Sequence, residues 1–511
     1  LKLPLTSQKL NCIFVILIKF SYFCSNSFGK MKKPNKIKLL ARQTVLAKHQ
    51  NRPTHQPKQK IKPAFTVITP RRFRRTKVST IIPVQTQSSS RTLLIQKYLP
   101  ENLKYLTSIK NSPLYLKDIR KSRYSIPNGE ILVPRVFSVF ENPNESYLML
   151  RKLIFALLFQ SHNVNLDYRN CIKVDLASQV LLDVIFKECG DFISKLRHID
   201  GGKAQQLFAT AMGGHHIENE NVKKLLFSVG SPANIANKTV NFPGTIKCPL
   251  CIHNCNGSKN IQKLKEQKDI DTTELADYVI SCLSSMNKEL TPDKRDDLCT
   301  VIGETLINAE EHSTTGYRYS VGYFEETNEQ DKHCGIFRLV ILNFGRTIYE
   351  KFKSDDCPNK HFVEQMKTLS KSYNSRNLFL QKEFEEETLW TLYALQEGVT
   401  SVPPDQYHQR GNGSIRFIES FFNIKGENGC DNVSYLRIVS GRTRIIFDGA
   451  YQISTKTNQN GEVFRVMTFN KEENLDYKPD KKYVYYADDY FPGTIISAKI
   501  LLNDDDIKQI N

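Results

Sequence analysis

Glu304, Asn308 and His312 recur at intervals of four within the stretch GETLINAEEHS (residues 303–313). A helix turns about 100° per residue, so the three would share one face within roughly 80°. A carboxylate there can orient or deprotonate a water, and an amide oxygen can bind a hard cation such as Mg²⁺. Taken alone, Glu304 and Asn308 also fit a solvated helix face, and His312 fits a favourable contact with a helix C-terminus. Two further pieces follow in the chain. The apolar run FRLVIL leads into Asn343-Phe344-Gly345, and Arg410-Gly411-Asn412-Gly413 precedes the helical pattern IRFIESFFNI. Glycines at 411 and 413 let backbone N–H groups approach phosphates, to which a following helix adds its positive end. Arg410 can pair with a phosphate as well.

A second cluster, CPLCIHNC, holds Cys248, Cys251, His253 and Cys255. Cys-x-x-Cys is half of a zinc tetrahedron, and no second Cys-x-x-Cys occurs in the chain. Either one compact loop supplies all four ligands, or the group is a redox-active or structural thiol cluster. The histidines and acids of GGHHIENE (213–220) show no recognisable ligand spacing.

The elements that position these residues are marked in the sequence. Thr291 is an N-cap with Pro292 at the first helical position, and Gly316 is the expected close of that helix. Leu298, Ile302, Leu306 and Ala309 form its buried stripe, leaving Glu304, Asn308 and His312 on the adjoining face. Upstream, residues 145–161 and 178–196 have helical spacing, with Ser178 as N-cap, and 171–177 reads as a buried strand. This predicts a small α/β domain over 131–235, followed by a Cys-containing linker over 236–280. A helix holding the only tryptophan, Trp390, is expected over 384–397, and strands at 435–440, 443–449, 462–470 and 493–502. Residues 451–511 read as a β-rich extension.

The chain has 511 residues and a formal net charge of +19. That charge is local: residues 1–100 hold 21 Lys or Arg and no acid, leaving 51 basic against 53 acidic side chains in the rest. Residues 31–130 therefore read as a basic, largely disordered tail, able to neutralise nucleic-acid phosphates but lacking any folded nucleic-acid motif. Residues 1–30 read as an upstream or targeting segment: the first Met is Met31, and the apolar run CIFVILIKF (12–20) is too short to span a bilayer. No stable membrane insertion is expected, and the twelve cysteines suit reduced thiols in a cytoplasmic protein.

The order Glu304-x-x-x-Asn308, Asn343-x-Gly345, Arg410-Gly-x-Gly413 resembles the three ATP-site boxes of the GHKL superfamily. That superfamily holds the ATP-binding domains of histidine kinases, the Hsp90, MutL and gyrase ATPases, and the anti-sigma-factor kinases. The resemblance implies a two-layer α/β sandwich over 281–450, roughly a third of the chain, and the preceding region looks like the companion domain of bacterial GHKL-type ATP-binding proteins. It further implies Glu304 as the water-activating base, Asn308 as the Mg²⁺ ligand, and Asn343, Gly345, Arg410, Gly411, Gly413 and His312 around ATP, with 396–409 as a lid. The chain departs from the family's Asp-x-Gly-x-Gly, having Asn343 for the aspartate and Thr347 for the last glycine. Asn343 suits adenine or, with its amide flipped, guanine, and Thr347 predicts a reshaped pocket. The activity implied is slow ATP hydrolysis or an ATP-driven switch acting on a protein partner. The alternatives are a serine/threonine kinase of the anti-sigma type and a nucleic-acid-binding protein built on the basic tail.

Overall fold

The computed structural model describes residues 84–503, apart from 120–123, 125, 127, 161–162, 200–203, 209–211, 232–241, 256–260, 330–331, 375–383, 402–410, 412, 426–432, 458–460 and 462. The protein is α/β. Its first part runs α1 (Val84–Tyr98), α2 (Glu101–Ser108), β1 (Glu130–Leu132), β2 (Val136–Phe137), α3 (Pro143–Phe159), β3 (Val164–Asp167), β4 (Lys173–Val174), α4 (Leu176–Leu196), β5 (Met212–His215) and α5 (Glu220–Ser228). Strands β1, β3 and β5 form a parallel sheet in the order β1-β3-β5, and β2 pairs with β4.

Two local expectations change here. Asp175, not Ser178, caps α4, its carboxylate accepting the N–H groups of Ala177 and Ser178. The Ser178 hydroxyl instead accepts the N–H of Val139. The domain also begins well before residue 131. Helices α1 and α2 and the turn between them bury Ile95, Leu99, Leu103 and Leu106 in the same core as α3 and α4, so the expected tail over 31–130 does not extend through its last third. Residues 1–83, with the apolar run and the basic cluster, lie outside the described residues.

The second part begins with β6 (Thr245–Asn254) and continues through α6 (Ile261–Ser285), α7 (Pro292–Glu311), β7 (Tyr317–Glu329), β8 (Lys332–Phe344), α8 (Ile348–Lys353), α9 (Lys360–Asn374), α10 (Glu386–Ala394) and α11 (Gly413–Lys425). It ends with β9 (Tyr435–Phe447), the hairpin β10 (Ser454–Thr457) and β11 (Val463–Val466), and β12 (Val484–Asn503). Five strands make one sheet in the order β6-β7-β8-β12-β9, every pair antiparallel. The order overturns two expected boundaries. β6 is the edge strand of this sheet, so 236–280 is not a linker; its residues are half-covered on both faces and so lack clean alternation. β12 enters between β8 and β9, so Val484–Asn503 of the expected extension is a central strand of the sheet. The strands expected at 435–440 and 443–449 are one strand, β9, passing through Gly441 at a positive φ of 59°.

Both faces of the sheet are covered, which is why β8 reads as a continuous apolar run. Phe337, Leu339 and Ile341 pack under α6, α7 and α11. The alternate residues Val340, Leu342 and Phe344 join the core of the first part. Each such side chain contributes about 1.5–3 kcal/mol relative to exposure. Among the described residues no helix is long and apolar enough to cross a membrane.

One buried cation ties the helical layer to the sheet. Arg318 on β7, 1% exposed, donates from Nη2 to Asp271 Oδ2 on α6 at 2.6 Å and from Nε to Glu310 Oε2 on α7 at 3.2 Å. Arg318→Ala would leave two buried carboxylates short of their counter-ion, at a cost of about 3–5 kcal/mol. Equilibrium denaturation should show the lost stability as a lower midpoint with an unchanged slope.

Candidate functional site

Helix α7 starts as its sequence predicts, with Thr291 accepting the N–H of Lys294 and Pro292 first in the helix. Leu298, Ile302, Leu306 and Ala309 are all buried. The helix ends at Glu311 with His312 as C-cap, earlier than Gly316, which lies in the turn before β7. His312 donates its N–H to Asn308 O at 3.0 Å, and the next residues turn away to bond the end of β8. Ser313 Oγ and the Thr314 N–H both donate to Phe344 O, at 3.1 and 3.0 Å. The face carrying Glu304, Asn308 and His312 opens into a cavity of about 530 Å³.

Asn343 lines the same cavity from the sheet. It stands two residues after Ile341, so strand alternation puts it on the helix side. In register it lies between Arg318 on β7 and Thr494 on β12. Asn343 is 2% exposed, and its Nδ2 has no hydrogen-bond partner. Leaving such a donor unsatisfied costs about 1–3 kcal/mol, a cost a ligand acceptor would remove.

The glycine-rich turn closes the third side. At Gly413, the first residue of α11, an added Cβ would stand 2.8 Å from Glu304 Oε2 and 3.2 Å from Asn308 Nδ2. With glycine there, the ends of the Glu304 and Asn308 side chains can lie directly against the start of α11; a Cβ would make them shift. Gly411, at φ 100°, has its Cβ position 2.6 Å from the carbonyl carbon of Gly398, whose N–H donates to Gly411 O at 3.1 Å. The two ends of the segment between them are therefore clasped backbone to backbone. Arg410 and most of the expected lid lie outside the described residues. Arg416, one turn into α11, brings Nη1 within 3.9 Å of Glu304 Oε1.

Of the predicted set, Glu304, Asn308, His312, Asn343, Gly411 and Gly413 thus meet around one cavity. Gly345 does not line it. Its Cβ position falls 2.3 Å from His312 O and 2.7 Å from Thr314 N, so its smallness serves the packing of the turn after α7. Thr347 is likewise absent from the cavity wall. It caps α8 in a capping box, accepting the Glu350 N–H while its own N–H donates to Glu350 Oε2. The sequence reading missed Thr305, Lys351, Thr494 and the apolar wall residues Leu395 and Ile438. Only strand alternation could have flagged Ile438; Thr494 and Lys351 carry no local signal.

The cysteine cluster does not converge. Cys248, Cys251 and His253 are strung along β6, paired with Gly322, Ser320 and Arg318, and Cys255 follows the strand. A strand rises about 3.3 Å per residue, which spreads side chains that a tight loop would gather. Among the described residues, the group of three potential ligands whose atoms approach within 4.8 Å is a different one, Asp167, His215 and His216. Burial pushes the Cys248 thiol up to about 11 and raises Cys251 and Cys255, keeping all three protonated at neutral pH. Burial, reinforced by Arg318, lowers His253 and keeps it neutral.

The chain matches no protein-family model, no curated protein and no solved structure. The site stands on its own geometry.

Gly345→Ala is expected to destabilise the protein by about 1–3 kcal/mol, because the added methyl meets backbone rather than a movable side chain. Thermal denaturation against wild type checks this.

Proposed function

We propose that the chain is a Mg²⁺-dependent ATP-binding protein of the GHKL type, a slow ATPase or ATP-driven switch acting on a protein partner. The observation that carries the reading is convergence. Three separated segments bring Glu304 and Asn308, Asn343, and the glycines Gly411 and Gly413 to one cavity of about 530 Å³, within the range of small-molecule sites. The architecture supports it too, since helices α6, α7 and α11 cover one face of an antiparallel sheet as the second layer of a sandwich.

The residues present fit the implied ligands. The unpaired Asn343 Nδ2 suits an acceptor on a purine's Watson–Crick edge, and the amide oxygen suits the neighbouring donor. The Gly413 cradle and the N-terminus of α11 suit phosphates, because a helix's first N–H groups are unpaired and lie at its positive end. Asn308 would hold Mg²⁺ through its amide oxygen; when bound, the ion neutralises charge building on the phosphates. Glu304, one turn before Asn308, would orient a water and accept its proton. Arg416 faces the same carboxylate from α11. The nucleic-acid reading has less support, since residues 31–83 lie outside the described residues and the cysteines are not gathered around one point among the described residues.

Mg·ATP at 100 times its Kd should stabilise the protein by about 2.7 kcal/mol, seen as a rise in melting temperature. A protein shifted by neither ATP nor GTP does not have this function. Glu304→Gln should bind ATP as wild type does while phosphate release falls about a hundredfold or more. Asn308→Ala should weaken Mg²⁺-dependent binding itself. Labelling of protein by γ-phosphate, in place of free phosphate, would assign the site to a kinase.

A further inference from the structure

The carboxyl edge of the small parallel sheet carries a second site, remote in sequence from the cavity and sharing no residue with its wall. Asp167 is the last residue of β3 and His215 the last of β5, and the two are register partners. Partners on neighbouring strands project to the same face. His216 follows and would alternate to the opposite face in an extended strand. It instead takes φ 52°, a left-handed conformation uncommon outside glycine, and its ring turns back beside Asp167. The rings of His215 and His216 lie 4.3 Å apart and nearly perpendicular. The ligand atoms of all three residues fall within 4.8 Å of one another.

We propose that Asp167, His215 and His216 bind one divalent transition-metal ion of the zinc class. Two imidazole nitrogens and a carboxylate oxygen are the donor set that such ions prefer over Mg²⁺ or Ca²⁺, and three protein ligands leave a position for water. The Asp167 side chain is 5% exposed and His215 23%, whereas His216 is 52% exposed, so the open position faces solvent. His216 Nδ1 lies 3.1 Å from Asp167 Oδ1, close enough for a shared ion to replace the direct contact after a small rotation. Arg169 donates to the other oxygen, Oδ2, and its backbone N–H to Oδ1, which fixes the carboxylate as ligating carboxylates commonly are fixed. Its positive charge opposes the ion. Glu130 offsets that charge, with Oε1 4.0 Å from His215 Nε2 and in reach as a fourth ligand.

The test is calorimetric titration of zinc sulfate into the chelator-treated full chain. Wild type should bind one equivalent through this site. His216→Gly keeps the left-handed backbone, since glycine adopts it freely, and should weaken that equivalent about tenfold or more. Arg169→Gln should tighten it by removing the opposing charge, and Cys251→Ser should leave it unchanged. Absence of zinc binding in wild type, wild-type affinity in His216→Gly, or loss of the equivalent in Cys251→Ser would each overturn the assignment. None of these readouts involves nucleotide, so the result is independent of the cavity's function.

Discussion

Arg318 holds its charge in a place where water cannot reach it, and its two carboxylates come from two different helices. A buried ion of this kind tolerates little displacement, because any gap leaves desolvated charge unpaired. Its register partner on β8 is Asn343, and Glu310 lies within one turn of both Asn308 and His312. The same interaction that anchors α6 and α7 to the sheet therefore fixes the height of the cavity's polar residues over Asn343. Lys268 adds to this, reaching Glu310 Oε1 at 3.4 Å from α6, at the cavity's rim.

The sheet transmits that constraint to its far side. Residues 313–315, just after His312, are held at one end by Phe344 O and at the other by the first domain, where Thr315 Oγ1 donates to Asn102 Oδ1 on α2. Asn102 donates in turn to the buried Glu188 of α4, which also accepts the Leu103 N–H. A chain of buried hydrogen bonds thus links the cavity wall to the helices behind the sheet. Moving His312 outward would break bonds in low-dielectric surroundings, where each is costly to lose. The two parts of the fold meet through this turn and through one face of the sheet, where Tyr319 and Val321 of β7 and Val340, Leu342 and Phe344 of β8 join the first part's core.

How much of this was legible follows from the range of the forces involved. Helix α7 could be read closely because its cap, its proline and its buried stripe are local, whereas Gly345, expected at the site, packs against the backbone of the turn after α7. The end of α7 was misjudged by four residues, since it is set by bonds to Phe344 some thirty positions away. The place of β12 was not legible at all. Its insertion between β8 and β9 is decided by pairing across the whole domain, and Thr494 reaches the cavity only through that pairing. Thr347 caps α8 in a capping box with Glu350 and takes no part in the cavity wall.

The two candidate metal clusters show the same physics from opposite sides. Four sulfur and imidazole ligands within eight residues look like a site only if the backbone between them is a tight turn. As a strand the segment carries them apart, and the edge position of β6 in the sheet makes it a strand. Asp167 and the His215–His216 pair are separated by nearly fifty residues and have no spacing to notice. Parallel pairing of β3 with β5 makes them neighbours, and a single left-handed residue brings the second imidazole to the same side. Ligand spacing along a chain is therefore evidence of a site only after the period of the backbone is known. Where sheet pairing gathers the ligands, proximity along the sequence carries almost none of the information.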